Sequence, residues 1–323
     1  MSTSLLSPTS TLFLDNVNRM QEQLNQANSQ MSSGYKVQTA ADDPSQIPDL
    51  LQLRTDESQN QQIESNLTLA GTDADSADSA LSSAINIMDS ATQLATEGAN
   101  ATQTADTRQS LAEQVQSLME QMVSVSQTQV QGSYIFSGDL DGSPSYQIDL
   151  SATAGSALLT GVDQLSSADS TRVIQDPSGG TFAASETAAQ IFDDTTPAST
   201  DADGNPIAAA PAADNVFAAL NSLRTALLNN DQPGIQNCID SLQQASNHLN
   251  DAEAFYGTVE NRIQSASSFA STYDTQLKTE IGNIQDADPT TAALELSQDT
   301  TQLQAAFQMQ AKMPTQTLFD FLG

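Results

Sequence analysis

Few residues in this chain are of a type that does chemistry, and their spacing suits that chemistry poorly. His248 is the only histidine and Cys238 the only cysteine. A histidine-based triad needs its base held by a third group beside a nucleophile, and a zinc site needs several nitrogen or sulfur ligands. One imidazole and one thiol cannot furnish a multi-histidine zinc site, a CxxC pair or a disulfide within the chain. The segments HExxH, GxSxG and GxxxxGK[ST] do not occur, so the common metalloprotease, esterase and P-loop readings have no anchor. Carboxylates are plentiful, and two of them, Asp42 and Asp43, precede Pro44. Adjacent acids could hold a cation, but beside a proline they are more often a helix cap or a turn. The DLDG segment from Asp139 and the DADGN segment from Asp201 have the look of calcium loops. Both lack the glycine at the sixth position and the closing glutamate of an EF-hand, so turns are the expectation. Cys238, among Ile235, Ile239 and Leu242, is expected as a small core residue, and His248 as an ordinary polar position on a helix. No catalytic, cofactor or metal residue is expected. A carboxylate-dependent enzyme on an extended helical scaffold stays as an alternative, and it would require a pocket.

The elements that would carry these residues are constrained by composition. Only 38% of the 323 residues are hydrophobic, 5% are aromatic and tryptophan is absent, which disfavours a thick core of large side chains. A helical seam needs only Leu, Ile, Val, Met and Ala at heptad spacing. Nine Lys and Arg against 40 Asp and Glu give a net charge of −31, which repels phosphate backbones and anionic lipid alike. No nucleic acid and no membrane insertion are therefore expected. The segment MSTSLLSPTSTLFLDN lacks the basic start and the apolar run of about 7 to 15 residues of a cleaved secretory signal. No stretch approaches the ~18 apolar residues of a span.

The apolar pattern is helical at both ends. Phe13, Val17, Met20, Leu24, Ala27 and Met31 are spaced 4, 3, 4, 3 and 4 apart, a heptad seam too narrow to stabilise a lone helix. Gly34 is expected to end it. A second helix is predicted from about Pro48 to Glu97, with Ile63, Leu67, Ala70, Ala74, Ala77, Leu81, Ala84, Met88 and Ala91 in its seam. Thr104 or Asp106 is expected to cap a third, carrying Leu111, Val115, Leu118, Met122 and Val125 and ending near Gly132. Residues 139–213 show no helical period. Short alternating runs at Tyr146, Ile148 and Leu150 and at Val173 and Ile174 predict a few strands within a β and coil insertion. Helical period returns at Asp214 with Val216, Leu220, Leu223 and Leu227. After a turn at Asp231, Pro233 and Gly234 come Ile235, Ile239, Leu242 and Leu249, then Val259, Ile263, Ala266, Ala270, Tyr273, Leu277, Ile281 and Ile284. Pro289 precedes a last helix with Leu294, Leu296, Leu303, Ala306 and Phe307, and the chain closes on Leu318, Phe319, Phe321 and Leu322. The expected fold is mainly α: a long antiparallel helical rod or coiled coil built from the N- and C-terminal regions, with a small β/coil insertion in the middle.

Several of these segments resemble the bacterial flagellin superfamily. The heptad start, SSGYKVQTAADDP at 32–44 and LLQLR at 50–54 are similar to its terminal helix, glycine-ended loop and turn into a long helix. GSYIFSGD at 132–139, DNVFAALNSLRTALL from Asp214, YGTVENRIQSA from Tyr256 and the closing LFDFLG resemble its hook-filament junction branch, also called hook-associated protein 3. The QMQAKMPTQT stretch is reminiscent of filament flagellin, the alternative reading within the family. The resemblance implies a self-assembling structural subunit, not an enzyme, that connects hook to filament on the extracellular flagellum and is exported without a cleaved signal peptide. It implies as partners neighbouring copies, another hook-associated protein, filament flagellin, an export chaperone and the flagellar secretion apparatus, and no cofactor. By that resemblance residues 1–40 are an assembly helix pairing with 290–323, 41–138 are rod helices pairing with 214–289, and 139–213 are a variable surface insertion. The expected assembly interface is Phe13, Val17, Met20, Leu24, Ala27, Met31, Leu294, Leu303, Phe307, Leu318, Phe319, Phe321 and Leu322.

Overall fold

The computed structural model describes residues 8–150, 160–166, 170–200 and 205–312, with side chains from residue 11 onward. The expected interface residues Leu318, Phe319, Phe321 and Leu322 lie outside these, as do the first acids of the DADGN segment. Contacts divide the chain into two units, one of residues 1–59 with 273–323 and one of residues 60–272.

In the first unit, α1 (Pro8–Ser33) and α7 (Pro289–Lys312) pack against each other. They are joined by the N-terminal part of α2 (Ile47–Gly98) and the C-terminal part of α6 (Gln232–Gln285). Gly34 stops α1 with φ +77°, a left-handed conformation at little steric cost only to glycine, and its N–H donates to Gln30 O at 2.8 Å. Asp42 Oδ2 accepts the N–H groups of Gln38 (2.9 Å) and Thr39 (2.7 Å), which ties the loop into a turn. Those two backbone donors, Thr39 first, hold the Asp42 carboxyl below its ordinary range. Asp43 Oδ1 accepts from Ser45. The adjacent acids are turn residues here.

The second unit is built on α2 from Asn60, α3 (Ala105–Ser126), α5 (Val216–Leu228) and α6 up to Thr272. Within it α2 and α6 run antiparallel: Asn60 Nδ2 donates to Ala270 O at 2.9 Å, and a Cβ on Gly71 would lie 3.7 Å from Ile263 Cγ2. Along α2 the seam residues Leu67, Ala74, Ala77, Leu81, Ala84, Met88 and Ala91 are buried, most of them completely. On its outer side hydroxyls fold back on the helix, with Thr68 donating to Glu64 O, Thr72 to Thr68 O and Ser76 to Thr72 O. Ser79, Ser83, Thr92 and Thr96 repeat the contact four residues back.

Side-chain caps mark the starts of the helices. Thr104 accepts the Thr107 N–H at 3.2 Å and begins α3. Asn215 accepts the Ala218 N–H at 2.8 Å, so α5 starts two residues after the expected Asp214. The turn expected at Asp231, Pro233 and Gly234 is the first turn of α6, which carries both downstream seams in one helix. Asp231 O accepts the Ile235 N–H and its Oδ1 the Gly234 N–H, while Pro233 occupies a first-turn position where no N–H is needed. The third helix ends at Ser126, short of the expected Gly132. Gln131 and Gly132 both have positive φ, 52° and 88°. They turn the hairpin of β1 (Gln129–Val130) and β2 (Ser133–Tyr134).

Antiparallel two-stranded pieces fill the insertion: β3 (Tyr146–Ile148) with β4 (Val162–Gln164), β5 (Val173–Gln175) with β6 (Thr181–Ala183), β7 (Thr195–Thr196) with β10 (Ala210–Pro211), and β8 (Ser199–Thr200) with β9 (Pro206–Ile207). The short helix α4 (Ala188–Phe192), capped by Thr187 and Gln190 in a reciprocal box, was not legible as a period. Its Phe192 meets Phe136 edge-on at 5.6 Å and Phe217 at 6.0 Å, and Tyr256 joins Phe136 at 6.3 Å. Phe136, Phe192, Phe217 and Tyr256 thus form one aromatic cluster where the insertion meets the helices.

Candidate assembly interface

The α1–α7 pair is formed by a narrow seam. Val17, Ala27 and Ala292 are buried, while Phe13, Met20, Leu24, Leu296, Leu303 and Ala306 are half-buried. The α7 positions 292, 296, 299, 303 and 306 keep the 4, 3, 4, 3 spacing of a single face. Of the residues expected at the interface, Leu294 and Phe307 lie off that face and are 59% and 49% exposed; Met31, at the end of α1, is 47% exposed. Leu12, Leu14 and Met309 are exposed as well and were not singled out from sequence. The α1–α7 pair thus leaves Leu12, Leu14, Met31, Leu294, Phe307 and Met309 exposed.

Polar contacts concentrate where the two helices enter the pair. Gln285 O, at the end of α6, accepts the N–H groups of Lys36 (2.7 Å) and Val37 (3.3 Å), and Gly34 O accepts that of Ala287 (2.8 Å). Tyr35 and Asp286 form an antiparallel bridge. Gln285 Oε1 accepts from the Arg54 guanidinium at 2.8 Å, and Lys36 Nζ donates to Asn283 O at 3.0 Å. Gln285 and Val37 are both buried. Asp288 then starts α7, accepting from the Thr291 hydroxyl (2.8 Å) and the Thr290 N–H (2.9 Å), contacts that lower its carboxyl below the usual range. Gly34 was expected as a helix end and residues 32–44 and 50–54 carry the family resemblance, but their pairing with residues 283–287 was not legible, because nothing local to Arg54 or Lys36 says that residue 285 is near.

The residues with potential chemistry are elsewhere. Cys238 is buried, and burial pushes its thiol up. His248 Nε2 lies 2.7 Å from Gln190 O, its Nδ1 3.5 Å from Asp214 Oδ2. Arg172 joins Asp73 on α2 (2.7 Å) and Asp141 (3.2 Å). It lines a cleft of about 430 Å³ with Leu69, Ile135, Ile174 and Tyr256. Among the described residues no group of three His, Cys, Asp or Glu is placed to hold a metal, and no helix is long and apolar enough to cross a membrane.

Comparison with known families assigns the two ends together. The bacterial flagellin N-terminal helical region matches residues 9–140, and the bacterial flagellin C-terminal helical region matches residues 239–322.

The chain belongs to the flagellin family.

The flagellin matches take in α1 to α3 and the loop beyond, then most of α6 and all of α7; β3 to β10, α4 and α5 fall between them. Solved structures share the fold. A chain from Vibrio parahaemolyticus described as a flagellar hook-associated protein is 18% identical with a TM-score of 0.59, covering 76% of this chain and all of its own. Flagellar hook associated protein-3 from Legionella pneumophila is 13% identical with a TM-score of 0.58, covering 72% of this chain and 98% of its own. FlgL of Xanthomonas campestris is 16% identical at 0.55, covering 70% and 98%. Comparison with the curated proteins gives no match.

Proposed function

We propose that this flagellin-family chain is a structural subunit of the bacterial flagellum that joins hook to filament. The observation that carries the reading is the pairing of α1 with α7, which brings the two family-matched ends together and leaves Leu294, Phe307, Leu12 and Met309 open to water. Each large apolar side chain covered by a neighbour contributes roughly 1.5 to 3 kcal/mol. The junction role is favoured over the filament role by similarity to hook-associated proteins along nearly their whole length. Its partners are neighbouring copies, a second hook-associated protein on one side and filament flagellin on the other. It reaches them through the flagellar secretion apparatus with an export chaperone, and it works outside the cell without catalysing a reaction.

The test is a deletion strain examined by electron microscopy. Intact hooks with filament subunits shed into the medium support the junction role, whereas hooks carrying normal filaments contradict it. Purified protein supplied to severed filament ends separates the two family readings: a bound cap without growth fits the junction, sustained elongation fits filament flagellin.

A further inference from the structure

The β5–β6 hairpin is a sheet of its own. Its strands pair only with each other, and among the described residues no main-chain hydrogen bond joins residues 172–185 to a helix. An isolated two-stranded hairpin is marginal in water, so side chains have to hold it down. One side chain from each strand turns inward: Ile174, half-buried, and Phe182, buried, which stand opposite each other in the register. Val173 beside them is 60% exposed. The chain is next pinned at Glu186, whose N–H donates to the buried Tyr256 hydroxyl at 3.2 Å. The cleft of about 430 Å³ takes its walls from both β5, through Val173 and Ile174, and α2, through Leu69, Ala70 and Ala77.

We propose that this hairpin is a flap over the cleft, latched shut by two arginines that act from different elements. Arg172, at the root of β5, reaches out of the hairpin to Asp73 on α2 (2.7 Å) and to Asp141 (3.2 Å). Arg262, on α6, lies over the Phe182 ring with its guanidinium carbon 4.3 Å from the ring centre. These are two of nine basic residues in a chain of net charge −31, and both bear on one hairpin. Their contacts weaken in salt, because the charges are partly open to water: the Arg172 and Asp73 side chains are 28% and 20% exposed. Closing the latch also works against a desolvation cost. Burial raises the Asp73 carboxyl against the pull of the guanidinium, and an open flap would return that carboxyl to water. Attraction and desolvation therefore oppose each other at the latch, while the α2 seam beyond it is closed by the fully buried Leu81, Ala84 and Met88. The flap can open with that seam intact. The inference stands on the second unit alone and does not depend on the assembly reading.

The experiment is thiol labelling of the full chain carrying Cys238→Ala, with N-ethylmaleimide as an uncharged probe. Ala77→Cys puts the thiol in the cleft, at a position 1% exposed; Ala84→Cys puts it in the same α2 seam outside the cleft, at a position fully buried. Below the unfolding transition, urea leaves the Ala77→Cys rate flat and speeds Ala84→Cys labelling steeply, because a flap exposes little surface and global unfolding exposes much. Raising NaCl from about 20 mM to about 500 mM speeds Ala77→Cys labelling at least about threefold and does not speed Ala84→Cys labelling. Arg172→Ala with Arg262→Ala raises the Ala77→Cys rate at least about tenfold at low salt and abolishes its salt response. Ala70→Cys in the cleft and Ala91→Cys outside it repeat the comparison if either first variant folds poorly. Equal urea and salt responses at the two positions mean that the cleft opens only when the helices do, and that result overturns the proposal. An Ala77→Cys rate unmoved by salt and by the double substitution overturns it as well.

Discussion

Arg172 is one of nine basic residues in the chain, and it fastens the β5–β6 hairpin to α2 through Asp73 and to the preceding turn through Asp141. Burial raises the Asp73 carboxyl above its ordinary range, and the neighbouring guanidinium works against that shift. A carboxyl raised in this way stabilises the fold below its unfolded value and loses that contribution as pH climbs through its folded value. Arg172→Ala removes the opposing cation and enlarges the neutral-pH penalty. Urea unfolding should show a loss of about 1 to 3 kcal/mol near pH 7. The loss should shrink as pH is lowered through the range in which the raised Asp73 carboxyl takes up its proton; a loss that does not change with pH would exclude this electrostatic origin. Gly98 makes a steric prediction. A Cβ there would stand 2.6 Å from Leu227 Cδ2, with Leu111 and Ile235 close behind. Gly98→Ala should therefore lower stability by about 1 to 3 kcal/mol through overpacking, despite alanine's better helix propensity, as read by thermal melting.

Helices respond to substitution according to which unit they close. Met88 on α2 is fully buried in the second unit; Met88→Ala should cost about 2 to 5 kcal/mol. Leu294→Ser and Phe307→Ser on α7 should alter the stability of the free chain by less than about 0.5 kcal/mol while abolishing incorporation into flagella. Stability by denaturant titration and incorporation by immunogold labelling separate the two classes, and a large stability loss at Leu294 would mean that its face is already covered. The same contrast explains what the sequence disclosed. Heptad spacing revealed the α2 seam because burial follows the 3.6-residue period there, and Gly34, Thr104 and Pro289 marked helix ends through their own backbone preferences. Leu294 and Phe307 were grouped with Leu303 because apolar type does not tell which face of a lightly packed helix is inward. Gln285, Arg54 and Arg172 act through partners at least thirty residues away, so no local pattern encodes their roles. The short helix α4 is held by a capping box and by Phe192 in the aromatic cluster, too brief for a period to register.

At the scale of the whole molecule, a net charge of −31 sets the chain against itself. Raising NaCl from about 20 mM to about 500 mM shortens the screening length several-fold and should raise both melting temperature and self-association. Calorimetry and light scattering would check this, and a flat salt response would show that this self-repulsion limits neither folding nor association. The back-bonded hydroxyls along α2 add a consequence of their own. Each of them directs its hydrogen inward to a carbonyl one turn earlier, so what it offers outward is lone pairs. Beyond Arg54 that helix carries no lysine or arginine either. A neighbour resting on this flank would meet a surface rich in acceptors and would have to bring the protons for the bonds between them.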